Sequence, residues 1–278
     1  MQLPRGVWIR ARNLTAPLVL GLLLGVPASA EELRYPVDVA VGPGGEIYVA
    51  DIEAAALLRW SGNEFEVVAK GRGLPKTPLF GIRHIVPAGD GTVLASDPAT
   101  MALYRITTSG EITAIPDDGF FVTPWGIAVD PGGDILAVDR VTGRLRRVRA
   151  DAIEDVATIR APRAILAESD GSLHVLTDRN VLRMENGDGE PLVQSPPFEF
   201  PHDFVRAPDG GFFVTDGYAR CIWKVSPEGR VSVHVRGDPF ISPQGLALSA
   251  DGDLLVADAH ARTVFRVSGG GQVLPLGE

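Results

Sequence analysis

The chain has 278 residues, a net charge of −9 and a single cysteine, which excludes an intramolecular disulfide. Its acidity argues against nucleic acid as a partner, because phosphate contacts need a basic face. The same acidity argues against electrostatic docking on anionic lipid, and the absence of a P-loop, G-x-S-x-G, H-E-x-x-H or cysteine pair leaves nucleotide and nucleophilic Ser or Cys chemistry unsupported.

The N-terminus reads as a leader. Arg5, Arg10 and Arg12 form a basic start, Leu14 to Val26 is an apolar stretch of thirteen residues, and Ala28-Ser29-Ala30 precedes Glu31-Glu32. Thirteen apolar residues are too few to span a bilayer, so residues 1–30 are expected to be a signal peptide cleaved near Ala30. The mature chain, 31–278, is then exported, periplasmic or secreted, with no membrane span. Cys221 lies in the alternating segment CIWKV and reads as a buried, inert thiol.

From residue 36 onward one phrase recurs six times: a small apolar run, a Gly-rich turn and a second run ending in Asp. PVDVAVGPGGEIYVAD (36–51), PWGIAVDPGGDILAVD (124–139) and PQGLALSADGDLLVAD (243–258) are the clearest copies, and the closing residues are Asp51, Asp97, Asp139, Asp178, Asp216 and Asp258. A period of about forty residues with several short strands per unit predicts an all-β fold, a six-bladed β-propeller of four-stranded antiparallel blades. In the third unit, Gly126 to Val129 suits a strand buried on both sides, Pro131-Gly132-Gly133 a turn, Ile135 to Val138 a second strand and Leu145 to Val148 a third. The outer strands are fainter and are expected at 67–69, 112–115, 156–159, 192–193, 231–235 and 273–276. The chain ends, Leu33 to Tyr35 and Val273 to Leu276, should meet where the ring closes. The repeated Asp reads as a structural group that satisfies backbone amides at a blade turn, since it recurs in every unit. In the fourth unit Thr177 falls in the Asp slot and Asp178 comes one residue late.

The pattern P-x-G-[IL]-A-[VL]-x-x-x-G-x-[IL]-x-V-[AS]-D resembles the NHL family of six-bladed propellers over residues 36 to about 267. That resemblance implies the fold and leaves function open, because the fold hosts enzymes, binding modules and scaffolds alike.

Differences among the units locate a candidate site. The residue after the entry Pro is Val37, Arg83, Trp125, Arg163, His202 and Gln244 in turn, followed by Asp38, His84, Gly126, Ala164, Asp203 and Gly245. First strands line the channel of a propeller, so these positions form rings near one mouth. Two Arg and two His there, in an acidic protein, suit an anion. The expected ligand-binding set is Arg83, His84, Trp125, Arg163, His202, Gln244 and Asp38, with Trp125 standing between Arg83 and Arg163. His174 and His234 read as structural or exposed.

The fifth unit, FPHDFVRAPDGGFFVTDGYARCIWKV, resembles blades of the peptidyl-α-hydroxyglycine α-amidating lyase family. What that resemblance implies is a zinc enzyme in which His202, Asp203 and Tyr218 are catalytic and His202 is a metal ligand. The family draws its entry histidines from three blades, whereas Trp125, Arg163 and Gln244 stand at the other entries here, so the implied metal site is incomplete. The Glu, Asn and Asp metal set of gluconolactonase propellers is not reproduced either. Only Asp38 and Asp203 could offer oxygen to calcium. The sequence therefore reads first as a binding module without a cofactor, its mouth suited to a small anionic ligand or a peptide end. The second reading is a metal-assisted lyase or hydrolase using zinc or calcium, and the third a protein-interaction scaffold.

Overall fold

The computed structural model describes residues 31–116 and 119–278; the expected leader, 1–30, lies outside them. The described residues form six four-stranded antiparallel sheets and no helix. Blade one is β1 (Pro36–Val41), β2 (Ile47–Asp51), β3 (Ala56–Trp60) and β4 (Phe65–Lys70). Blade two is β5 (His84–Pro87), β6 (Val93–Asp97), β7 (Ala102–Ile106) and β8 (Ile112–Ile115). Blade three is β9 (Pro124–Val129), β10 (Ile135–Asp139), β11 (Arg144–Val148) and β12 (Ile153–Thr158). Blade four is β13 (Pro162–Ala167), β14 (Leu173–Thr177), β15 (Val181–Glu185) and β16 (Asp188–Pro191). Blade five is β17 (Pro201–Arg206), β18 (Phe212–Asp216), β19 (Cys221–Val225) and β20 (Val231–Arg236). Blade six is β21 (Pro243–Leu248), β22 (Leu254–Asp258), β23 (Thr263–Val267) and β24 (Val273–Pro275).

The first two strands of each blade are joined by the Gly-rich turn read in the sequence. Gly45, Gly91, Gly133, Gly171, Gly210 and Gly252 all have φ between 81° and 88°, a left-handed conformation that side chains with a Cβ adopt at a cost. Blade four departs from expectation at its edge. Its outer strand is Asp188–Pro191 rather than 192–193, because Leu192 and Val193 bend inward and bond to Val181 and Asn180.

Each pair of neighbouring blades encloses its own apolar cluster. Leu57, Ile82, Ile85 and Tyr104 pack between blades one and two, and Leu136, Leu145, Ile165 and Val175 between three and four. A single blade cannot bury both faces, so the blade is stable only in the ring. Cys221 is buried in the cluster between blades four and five, and burial pushes its thiol up to about 11, as befits an inert residue.

The ring closes without a shared strand, since every sheet is built from consecutive strands. Leu33 and Leu276 pack against one cluster that holds Val39 and Val49 of blade one with Leu255 and Val264 of blade six. Tyr35 and His260 are hydrogen bonded across the same seam, 3.0 Å apart.

The repeated Asp is the staple expected of it. Asp216 accepts backbone N–H bonds from Glu199 (2.7 Å) and Phe200 (2.9 Å), in the segment entering the blade, and from Ala219 (3.1 Å) in the next turn. Asp51, Asp97, Asp139 and Asp258 do the same in their own blades. In blade four Thr177 pairs opposite Pro162, as Asp51 does opposite Pro36. Its hydroxyl accepts the N–H of Arg179 and Asn180, and the Asn180 side-chain amide bonds both polar groups of Val193.

Candidate functional site

The staple draws the entry segment of each blade over the end of its second strand. In blades one, three, four, five and six a register shift follows at the start of the first strand. A bulge re-aims a side chain, and here it turns the entry residues into the channel. Blade two shows no shift in its β5–β6 pairing, and Arg83 N bonds Ser96 O directly at 2.8 Å. Hydroxyls fix neighbouring entries: Ser96 Oγ donates to the carbonyl of Trp125, and Thr215 Oγ1 to that of Gln244.

Val37, Arg83, Trp125, Arg163, His202 and Gln244 line one cavity at the mouth. Its volume is about 10 Å³, room for little more than a water molecule. Arg83 crosses it, donating from Nη1 to Gln244 Oε1 (2.8 Å) and from Nη2 to His202 Nδ1 (2.9 Å). Guanidinium only donates, so Nδ1 of His202 is the acceptor and its proton sits on Nε2. Burial lowers the pKa of His202 well below the usual imidazole range, and Arg83, Arg163 and Arg140 push the same way, so this histidine is neutral.

Trp125 carries two guanidiniums, but the second is not the expected one. Arg83 and Arg140 each lie 4.5 Å from its ring centroid, while Arg163 lies 4.0 Å from that of Phe200. Phe200 stands beside the mouth and attracts the Arg163 guanidinium to its ring face. Among the described residues, none of the three makes an ion pair within 4.0 Å, although the protein has many surface pairs. Burial lowers both Arg83 and Arg163 to about 10, and Arg140 adds to each shift by like-charge repulsion. Nε and Nη1 of Arg163 are buried without a hydrogen-bond partner.

One level below the mouth, Asp38, His84 and Asp203 meet. Their ligand atoms all lie within 4.8 Å of one another, with His84 Nε2 3.7 Å from Asp203 Oδ1 and Nδ1 4.0 Å from Asp38 Oδ2. Both carboxylates also join blades: Asp38 Oδ2 accepts Ile85 N–H (2.7 Å), and Asp203 Oδ2 accepts Leu246 N–H (2.9 Å). Burial raises Asp38 to about 7, against the opposing effect of His84. For His84 burial favours the neutral ring, but Asp38 and Asp203 outweigh it and hold the imidazole at about 9. The imidazolium thus sits where a cation between two carboxylates would.

The same ring level explains Gly126 and Gly245. A Cβ on Gly126 would lie 2.6 Å from the Ala164 Cα, and one on Gly245 2.4 Å from the Asp38 Cα, so first strands of adjacent blades approach too closely there for a side chain.

The expected catalytic trio does not come together. Asp203 points down to His84, His202 up to Arg83, and Tyr218 is 72% exposed and stacked on Phe200 with centroids 4.6 Å apart. Among the described residues no hydrogen bond joins the three. His174 packs against Phe212, and His234 is half-buried against Phe213 in an outer strand. Arg140 and Phe200 belong to the site and were missed in the entry comparison. A signal for Arg140 was present: it follows the closing Asp139, where other blades have Ile52, Pro98, Gly217 and Ala259.

The architecture is that of a six-bladed propeller, and residues 33–56 match the NHL repeat model. Peptidyl-glycine alpha-amidating monooxygenase B of Xenopus laevis is 24% identical over 229 residues, covering 79% of this chain and 23% of that protein. Its A form from the same organism is 24% identical over 223 residues, covering 77% of this chain and 21% of that one. The chain thus spans about a quarter of the length of the curated relatives it matches. Among solved structures, a catalytically inactive virginiamycin B lyase from Staphylococcus aureus superposes with a TM-score of 0.67 at 18% identity, covering 90% of this chain and 86% of the lyase. A gluconolactonase from Xanthomonas campestris superposes with a TM-score of 0.71 at 11% identity, covering 89% and 88%. At these identities the likeness is one of fold.

Proposed function

We propose that the protein is an exported anion-binding module whose ligand is held at the channel mouth by Arg83, Arg140 and Arg163. The observation that carries this reading is the convergence of three guanidiniums without an ion-pair partner, in a protein of net charge −9. Three like charges in a dry site repel one another, and a bound anion relieves that repulsion while forming charge-assisted hydrogen bonds. Arg140 is half-buried, so the cluster can be reached from the mouth face. Phosphate should therefore raise the melting temperature of the purified protein in a saturable way. Arg140→Ala should abolish that rise and leave the ligand-free melting temperature nearly unchanged, because the Arg140 side chain makes no hydrogen bond among the described residues. No stabilisation by phosphate, or an equal one in the variant, would count against the reading.

A metal-assisted lyase or hydrolase is the second reading, favoured by the Asp38, His84 and Asp203 cluster and by the lyase and gluconolactonase activities named for the fold neighbours. The surroundings of His202 do not suit zinc, since Nδ1 is bonded to Arg83 and the charges of Arg163 and Arg140 also disfavour a cation at the ring. Stoichiometric metal in the purified protein, lost on His84→Ala, would favour this reading over the first.

A further inference from the structure

The mouth cavity is nearly filled by its own side chains, so a ligand larger than an ion needs room elsewhere. Such room adjoins it. A groove of about 460 Å³ lies between blades four and five, lined by Arg163, Asp178, Arg179, Phe198, Glu199 and Phe200. That volume lies in the ordinary range of small-molecule sites. Arg163 belongs to both cavities. The residue is only 4% exposed, and its Nε and Nη1 have no hydrogen-bond partner. An unpaired buried guanidinium is costly unless a ligand completes it.

The groove walls are rich in acceptors. Asp178, in the turn between β14 and β15, and Glu199, in the segment entering blade five, both line it. Asp178 approaches Arg179 at 4.0 Å, too far for a hydrogen bond, and Arg179 is largely exposed. Among the described residues neither carboxylate accepts a hydrogen bond. The groove thus offers a buried cation and two carboxylates that accept no hydrogen bond.

We infer that this groove is the ligand subsite of the mouth and takes a monocarboxylate whose body carries hydrogen-bond donors, with its carboxylate on Arg163 and its donors against Asp178 and Glu199. The inference rests on the anion-binding reading above. Hydroxyl and ammonium groups are both donors of the required kind, and a matched set of ring carboxylates separates them.

The test is calorimetric titration of the purified protein with cyclohexanecarboxylate, glucuronate and 4-aminocyclohexanecarboxylate, alongside inorganic phosphate as a bare anion. Glucuronate or the amino acid should bind at least about tenfold more tightly than cyclohexanecarboxylate, the equivalent of about 1.4 kcal/mol; which of them does so identifies the donor. Asp178→Asn combined with Glu199→Gln should remove that preference while phosphate binding persists or tightens, because the three guanidiniums remain and two carboxylates in the Arg163 groove lose their charge. Equal binding of all three carboxylates, or an unaltered preference in the double variant, would overturn the groove while phosphate binding upheld the mouth. Loss of phosphate binding in the unmodified protein would overturn both.

Discussion

At the scale of single residues, His84 is a buried group whose charge is set by the fold. Its pKa stands at about 9 against an ordinary 6.5, so the folded state binds the proton more tightly than the unfolded chain does. The stability this contributes is present in full below pH 6.5 and is lost as pH rises through about 9. Asp38, raised from 3.8 to about 7, acts in the same direction at lower pH, because its ionisation is opposed by burial. The remaining charges facing the ring are Asp203 and Arg83. Thermal melts between pH 6 and 10 should show a fall in stability on the order of 4 kcal/mol, most of it from His84 and the rest from Asp38. In His84→Gln the fall should shrink and change shape, because the imidazole no longer titrates and Asp38, freed of the imidazolium that lowers it, titrates higher. Superimposable profiles for the two proteins above pH 7 would show that the imidazole is not the titrating group.

At the scale of elements, the recurring Asp was legible in the sequence and its structural role with it, because a group needed once per blade must appear once per blade. The exception was legible too, from the one-residue offset that puts Thr177 in the slot. This sets two aspartates that look alike in the repeat against each other. Asp139→Ala would strand the N–H groups of Val122, Thr123 and Thr142 and should cost about 3 kcal/mol or more in a denaturant melt. Asp178→Ala removes no hydrogen bond and should change stability by less than about 0.5 kcal/mol; comparable losses in the two variants would refute the assignment of the slot. The mouth was legible in part. Entry positions gave Arg83, Trp125, Arg163, His202 and Gln244, since these share one place in the repeat. Arg140 and Phe200 come from the second turn and the loop between blades, which a comparison of first strands does not sample. The stacking partner of Arg163 was therefore misplaced. The split between His202 and Asp203 was hidden for another reason: neighbouring residues on a bulged strand point in directions that only the register reveals.

At the scale of the whole molecule, a ring of consecutive four-stranded sheets has no strand exchanged between its ends, so closure depends on packing between blades one and six. Leu33 and Leu276 supply part of it, and the Tyr35–His260 bond lies on the rim. The narrowest contact is between first strands, where Gly245 faces Asp38 and a Cβ would come within 2.4 Å of its Cα and 2.8 Å of Val39 N. These are backbone atoms of a neighbouring blade, and they cannot yield without parting the two sheets and disturbing the Asp38 staple to Ile85. Gly245→Val should thus loosen the seam itself, lowering the free energy of unfolding by about 2–4 kcal/mol and exposing the apolar cluster behind it to a hydrophobic dye. Gly269→Val is the matched control, since a Cβ at that position meets nothing within 4 Å, and it should melt within about 0.5 kcal/mol of the unmodified protein. Equal stability of the two variants would mean that the first strands of blades one and six can separate freely, and that the ring is held shut by its outer strands instead.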